Sequence, residues 1–140
     1  MTDLPLTGGC LCGGVRYEVG EPLHSASYCH CTRCQRRSGT AASAQARVVP
    51  GSFRITAGEN LVAAYDPGGG GFVKCFCSRC GSALWSVSPT DSELRGIRLG
   101  TFDGDPGIRP SLRQFVAYAA AWEPIPDDGL QRYPERRPPG

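Results

Sequence analysis

The chain is 140 residues long, with 15 basic and 13 acidic side chains and a formal net charge of +2. One domain of that length can bury a core without disulfide staples, and the near balance of charge excludes the basic footprint of a nucleic-acid binder. No stretch reaches the length of a membrane span, and the opening MTDLPLTGG has neither the basic segment nor the apolar run of a secretion signal, so the expected setting is the cytoplasm, with no membrane partner.

Taken in chain order, the predicted elements are short strands. Residues 14–19 alternate Val15, Tyr17 and Val19 with Arg16 and Glu18, the period of a half-buried strand. Residues 29–34 form a Cys-x-Cys-x-x-Cys knuckle, and QRRSGT behind it predicts a helical turn after Cys34. Strands follow at 43–49, 53–57 and 60–65. Residues 66–71, Asp-Pro and four glycines, read as a hairpin tip or a mobile loop. Further strands are expected at 72–77, 83–88 and 96–102. Residues 113–122 fit either state: Phe115, Val116 and Tyr118 favour strand, and the alanines favour helix. With 19 glycines and 12 prolines spread along it, the chain reads as many strands joined by turns. The expectation is one mostly β domain over residues 1–134 and a flexible tail at 135–140.

The eight cysteines fall in three groups: Cys10 and Cys12; Cys29, Cys31 and Cys34; Cys75, Cys77 and Cys80. Clustered thiols in a reducing compartment read as metal ligands rather than disulfides, and a Cys-x-Cys pair closes too short a ring to be a good disulfide. Zinc takes four ligands in a tetrahedron and favours thiolate. Cys-x-x-Cys in a tight turn brings two sulfurs to one ion, and Gly81 after Cys80 suits the positive φ of such a turn. In a strand, Cys-x-Cys places both sulfurs on one face.

Counting leaves two partitions. Cys10 and Cys12 with Cys77 and Cys80 complete one four-thiolate site and leave Cys29, Cys31 and Cys34 as three ligands with a gap, the arrangement of a catalytic zinc. Pairing Cys10 and Cys12 with the middle knuckle, leaving 75–80 open, is equally allowed. A closed structural zinc is the commoner use of such clusters. Cys75 or His30 is the candidate to close an open site, although His30 alternates out of phase with its neighbouring cysteines and reads as an exposed loop residue. His24 reads as a strand or turn residue.

In order along the chain, GGCLCGGVRYEV, YCHCTRCQRRSGT, FCSRCGSALW, IRLGTFD and a late RYP resemble the glutathione-dependent formaldehyde-activating family, also called the CENP-V/GFA domain, from about Gly8 to Pro134. The resemblance implies a β-tent (Mss4-like) fold of small antiparallel sheets around zinc. It implies two zinc ions per chain: a structural one on Cys10, Cys12, Cys77 and Cys80, and a catalytic, labile one on Cys29, Cys31 and Cys34. It also implies an activity, the condensation of formaldehyde with glutathione to S-(hydroxymethyl)glutathione, a carbon–sulfur lyase-type reaction.

Arg36 and Arg37, just after the middle knuckle, are candidates to clamp a substrate carboxylate; solvated surface charges are the plain alternative. Gln35, Ser38 and Gly39 match the family pattern, with Ser38 a candidate cap of a short helix facing the metal. Trp85 and Trp122 read as core or pocket-wall residues. Two positions depart from the family: Cys75, and Arg113 where many members carry a histidine. The expected partners are a small thiol such as glutathione and an aldehyde, and the expected state is a monomer or homodimer. The rival reading is a non-catalytic, zinc-stabilised binding module on the same β-tent scaffold. A third, the methionine sulfoxide reductase B architecture, needs a reactive cysteine away from zinc, for which Cys75 is the candidate.

Overall fold

The computed structural model describes residues 3–138. Eleven strands build two sheets. The smaller has the order β1-β2-β5, with β1 at Leu6–Gly9, β2 at Arg16–Val19 and β5 at Phe53–Ala57, all antiparallel.

The larger sheet has eight strands in the order β11-β10-β3-β4-β9-β8-β7-β6. Its central members are β3 (Ser25–Cys29), β4 (Ser43–Arg47), β9 (Arg95–Arg98), β8 (Ala83–Val87) and β7 (Val73–Cys77). β6 (Val62–Tyr65) forms one edge, and β10 (Leu112–Gln114) with β11 (Gln131–Arg132) the other. All pairings are antiparallel except those of β10, which runs parallel to β3 and to β11. The one α-helix among the described residues, α1, spans Thr32–Ser38.

The core lies between the sheets. Val15, Tyr17 and Val19 face Trp85, Ile97 and Ala46, and all six are almost fully buried. Tyr17 and Phe53 meet Trp85 edge-on, with ring centroids 6.0 Å and 4.8 Å away. Each such aromatic contributes roughly 1.5–3 kcal/mol through burial. The hydroxyl of Tyr17 keeps a partner, Thr101 Oγ1 at 2.7 Å.

The predicted strands at 14–19, 43–49, 53–57, 60–65, 72–77 and 83–88 are all present; 53–57 keeps its bounds and the other five are shorter by one or two residues. Residues 66–71 form the hairpin tip between β6 and β7. Residues 96–102 are strand only to Arg98 and then turn through a 3-10 segment at Leu99–Thr101. Residues 113–122 are neither one strand nor a helix. β10 ends at Gln114, Phe115 takes a left-handed conformation with φ 59°, and a 3-10 turn follows at Val116–Tyr118. Of the two tryptophans, Trp85 is core, whereas Trp122 is 67% exposed. Within 135–138, the carbonyl of Glu135 accepts from the Phe115 amide at 2.9 Å. Among the described residues no helix is long and apolar enough to cross a membrane.

Candidate metal centres

Two thiol groups converge, and they are unequal. In the first, the sulfurs of Cys10, Cys12, Cys77 and Cys80 all lie within 4.8 Å of one another. Cys10 Sγ is 3.5 Å from Cys12 Sγ, which is 3.9 Å from Cys77 Sγ. Four sulfurs around a tetrahedral zinc would be about 3.8 Å apart, so this donor set fits the ion.

Strand alternation does not bring Cys10 and Cys12 together, since β1 ends at Gly9. A tight turn does: Gly13 N donates to Cys10 O at 3.1 Å, and Val15 N donates to Cys10 Sγ at 3.2 Å. Cys77 ends β7, and Gly81, with φ 79°, closes the Cys-x-x-Cys turn through its amide to Cys77 O at 2.7 Å. The two turns are stitched by Leu11 N to Ser82 Oγ at 2.9 Å and Arg79 Nε to Cys12 Sγ at 3.3 Å. Donation from the Gly14 amide and from Arg79 lowers the Cys12 thiol, and the Ser82 hydroxyl brings Cys80 down to about 5. Those two thiols are biased toward thiolate, whereas burial and contact with Cys80 and Cys10 raise Cys77.

The second group is Cys29, Cys31 and Cys34, again with sulfurs within 4.8 Å of one another. Cys29 is the last residue of β3. Cys31 is the N-cap of α1, its sulfur accepting from Cys34 N at 3.4 Å, and Cys34 sits in the helix's first turn. Strand end, cap and first turn therefore each supply one sulfur. Contact among the three thiols pushes Cys29 well up and Cys34 well down, with the Ser43 hydroxyl and Arg98 also favouring the Cys34 thiolate. Three thiols this close share their negative charge poorly without a cation, and the set fits three of zinc's four positions.

Neither candidate for closing the gap joins this group. Cys75 is buried in β7, paired with Trp85 and Ala64, and belongs to neither set. His30 is buried, not exposed, at 4%. Its Nε2 lies 3.1 Å from Arg113 NH1 and its Nδ1 has no partner among the described residues. His24 is an exposed residue just ahead of β3.

The residues after Cys34 have distinct tasks. Gln35 Nε2 donates to the carbonyls of His30 and Tyr118, both at 2.8 Å, which ties α1 to the turn at 116–118. Ser38 does not cap the helix start. It is the last helical residue and its hydroxyl donates to Cys34 O at 2.7 Å. Gly39 takes the left-handed C-cap, φ 69°, that a β-carbon would strain. Arg36 is exposed. Arg37 turns inward: NH2 donates to Cys75 O at 2.8 Å, while NH1 is buried with no partner. Reasoning from the sequence missed Ser43, Lys74 and Arg98, which face the same thiols. In isolation, a charged residue at an alternate strand position reads as solvent-facing.

The fold and sites define a small, mostly β protein organised around two thiol clusters suited to zinc. The sequence model of the family described as glutathione-dependent formaldehyde-activating enzyme matches residues 5–118, and the chain belongs to that family. It is similar to a protein of Halomonas elongata provisionally named a glutathione-dependent formaldehyde-activating enzyme, with 31% identity over 71% of this chain and 67% of that one. Its fold is similar to a crystal structure of a Rhodobacter sphaeroides protein at TM-score 0.61, 23% identity, 91% of this chain and 98% of the other.

Proposed function

We propose that the protein joins a small thiol, glutathione in the first instance, to formaldehyde. In the forward direction the substrate S–H adds across the aldehyde C=O. A C–S bond forms, the carbonyl π bond breaks, and the proton ends on oxygen, giving S-(hydroxymethyl)glutathione. The reverse step makes it a carbon–sulfur lyase. On this reading Cys10, Cys12, Cys77 and Cys80 hold a structural zinc, and Cys29, Cys31 and Cys34 hold a labile, reactive one. A zinc ion with an open position lowers the pKa of a thiol beside it and polarises a carbonyl oxygen.

The remaining work falls to the chain. Cys29, Cys31 and Cys34 define where the reacting sulfur must come, and α1 fixes two of them through its cap and first turn. Arg37, from the same helix, is placed to hold a substrate carboxylate; Arg36 points to solvent. Buried neighbours such as Ser43 limit water at the thiols. The observation that carries the reading is the contrast between the groups: four converging sulfurs in one, three in the other. Clusters of cysteines used as zinc ligands fit a reducing compartment, and on this reading the protein works in the cytoplasm.

The test is exchange spectroscopy on 13C-formaldehyde mixed with glutathione. The zinc-loaded protein should accelerate exchange between free and thiol-bound carbon, and Cys34→Ser should abolish that acceleration. Wild-type protein that leaves the uncatalysed rate unchanged would move the binding-module reading to the front.

A further inference from the structure

One face of the main sheet is polar where it runs away from the three-cysteine group. Pairing sets Cys29 opposite Ser43, Ser27 opposite Gln45, Gln45 opposite Arg98, and Ser86 opposite Lys74. Directly opposed residues project to the same side of a sheet, so these side chains form one surface leading from Cys29 to Lys74. Contacts along it agree. Ser43 Oγ donates to Gln45 Oε1 at 2.7 Å, Arg98 NH1 donates to the same oxygen at 2.9 Å, and Arg98 NH2 reaches Ser86 Oγ at 3.5 Å. Ser27, Ser43 and Ser86 are buried, so this face is largely withdrawn from solvent.

Three cations converge on it: Arg37 from α1, Lys74 from β7 and Arg98 from β9. All three are close enough to Cys34 to act on it electrostatically, and Arg98 acts on both of the others. All three are half-buried, and cations drawn out of water are normally paired. Here no carboxylate does so. The ion pairs among the described residues are Arg16–Asp103, Arg54–Glu18, Arg109–Asp105 and Arg113–Asp128. Burial and the like charge of Arg98 lower Arg37 to about 10, and burial lowers Lys74 in the same direction. Among the described residues, the anionic groups that act on Arg37 and Lys74 are cysteine sulfurs. Three thiolates around a divalent ion carry a single net negative charge, which leaves a positive surplus against three cations. Arg37 NH1, buried and without a partner among the described residues, has a bond to give.

We propose that Arg37, Lys74 and Arg98 form a carboxylate subsite on this polar face, so that the site selects thiols that carry carboxylate groups over neutral ones. Arg98, already bonded to Gln45 and Ser86, supplies a fixed positive field. Lys74 and the free nitrogen of Arg37 supply the direct contacts. The proposal rests on the thiol chemistry inferred above and adds the specificity of the same site.

Its test is calorimetric binding to the zinc-loaded protein of S-methylglutathione, which has no reactive thiol, and of its diethyl ester, in wild type, Lys74→Gln and Lys74→Arg. Wild type should bind the acid about tenfold or more tighter than the ester. Lys74→Gln should lose about tenfold toward the acid and little toward the ester, and Lys74→Arg should restore most of the loss. Equal binding of acid and ester, binding of neither, or a Lys74→Gln protein with its preference intact would overturn the subsite. Acid preference without any thiol–formaldehyde exchange would uphold the subsite and remove the proposed reaction. Exchange without acid preference would do the opposite.

Discussion

Arg113 lies 3.1 Å through NH1 from Nε2 of the buried His30, 83 residues away. A guanidinium only donates, so Nε2 must accept, and the proton of the neutral ring sits on Nδ1. Arg113 also donates to Asp128 Oδ2 at 2.8 Å and covers the Tyr28 ring at 4.3 Å. The result is a clamp joining β3, β10 and the 126–130 loop behind the three-cysteine group. Arg113→Met should cost about 1–3 kcal/mol, since it leaves the buried acceptor and Asp128 without their donor. Urea unfolding of the zinc-loaded variant checks this; an unchanged midpoint would mean the clamp is dispensable.

Metal content should divide the cysteines. Wild type is expected to carry two zinc ions per chain, one of them removable by a mild chelator with the fold intact. Cys31→Ser should lower the count to one and leave circular dichroism unchanged. Cys77→Ser, in a fully buried position that joins β7 to the first turn, should cost most of an ordinary domain's stability, on the order of 5–15 kcal/mol. Elemental analysis with thermal melts reads both. Two ions that leave together would contradict the division into closed and open sites.

Acid should weaken the link between the 101–103 segment and β2. Arg16, and then Thr7, hold Asp103 down to about 2. A carboxylate with a depressed folded pKa contributes stability above its unfolded pKa, about 3.9, and that stability is lost as pH falls toward the folded value. Both partners are more than a third exposed, so the contribution is small, about 0.5–1 kcal/mol. Asp103→Asn should melt lower than wild type by a constant amount above pH 4, with the gap closing as pH drops toward 2. Metal loss is common to both proteins and cancels in the difference. A gap that widens in acid would have the wrong sign.

Most strands were legible because one face is dry and the other wet, as in β2, where Tyr17 and Val19 alternate with Arg16 and Glu18. β3 was not, because Ala26 and Ser27 are both buried and no alternation remains to be read. Counting alone allowed two partitions of the cysteines; the family resemblance implied the one observed, and its physical reason, the turn at Cys10–Val15 meeting the turn at Cys77–Gly81, needed the fold. His30 was misread because alternation stops at Cys29, where the chain leaves β3 to cap α1. The cations at Lys74 and Arg98 were passed over for a related reason. Each looks solvated on its own strand, and only the register across β3, β4, β9, β8 and β7 sets them on one half-buried face with Cys29.

β1 escaped prediction because Thr7, Gly8 and Gly9 are weak strand formers, yet Gly8 is there for a reason that packing supplies. It pairs with Tyr17 in β2 and bridges to Phe102. A β-carbon at Gly8 would collide with the Thr101 carbonyl and with the Tyr17 hydroxyl that bonds to Thr101. Neither obstacle is the loose end of a flexible side chain: one is backbone, and the other is held in the aromatic core. Gly8→Ala should therefore push β1 off β2 and cost roughly 1–3 kcal/mol. Because β1 leads directly into Cys10, the same variant should also release its tighter zinc faster to a chelator. Gly104→Ala is the control, since nothing stands within 4 Å of that β-carbon. Chemical denaturation of both, alongside zinc release followed with a colorimetric chelator, makes the comparison. Equal stability of the two variants would show that β1 yields freely and does not anchor the four-cysteine site.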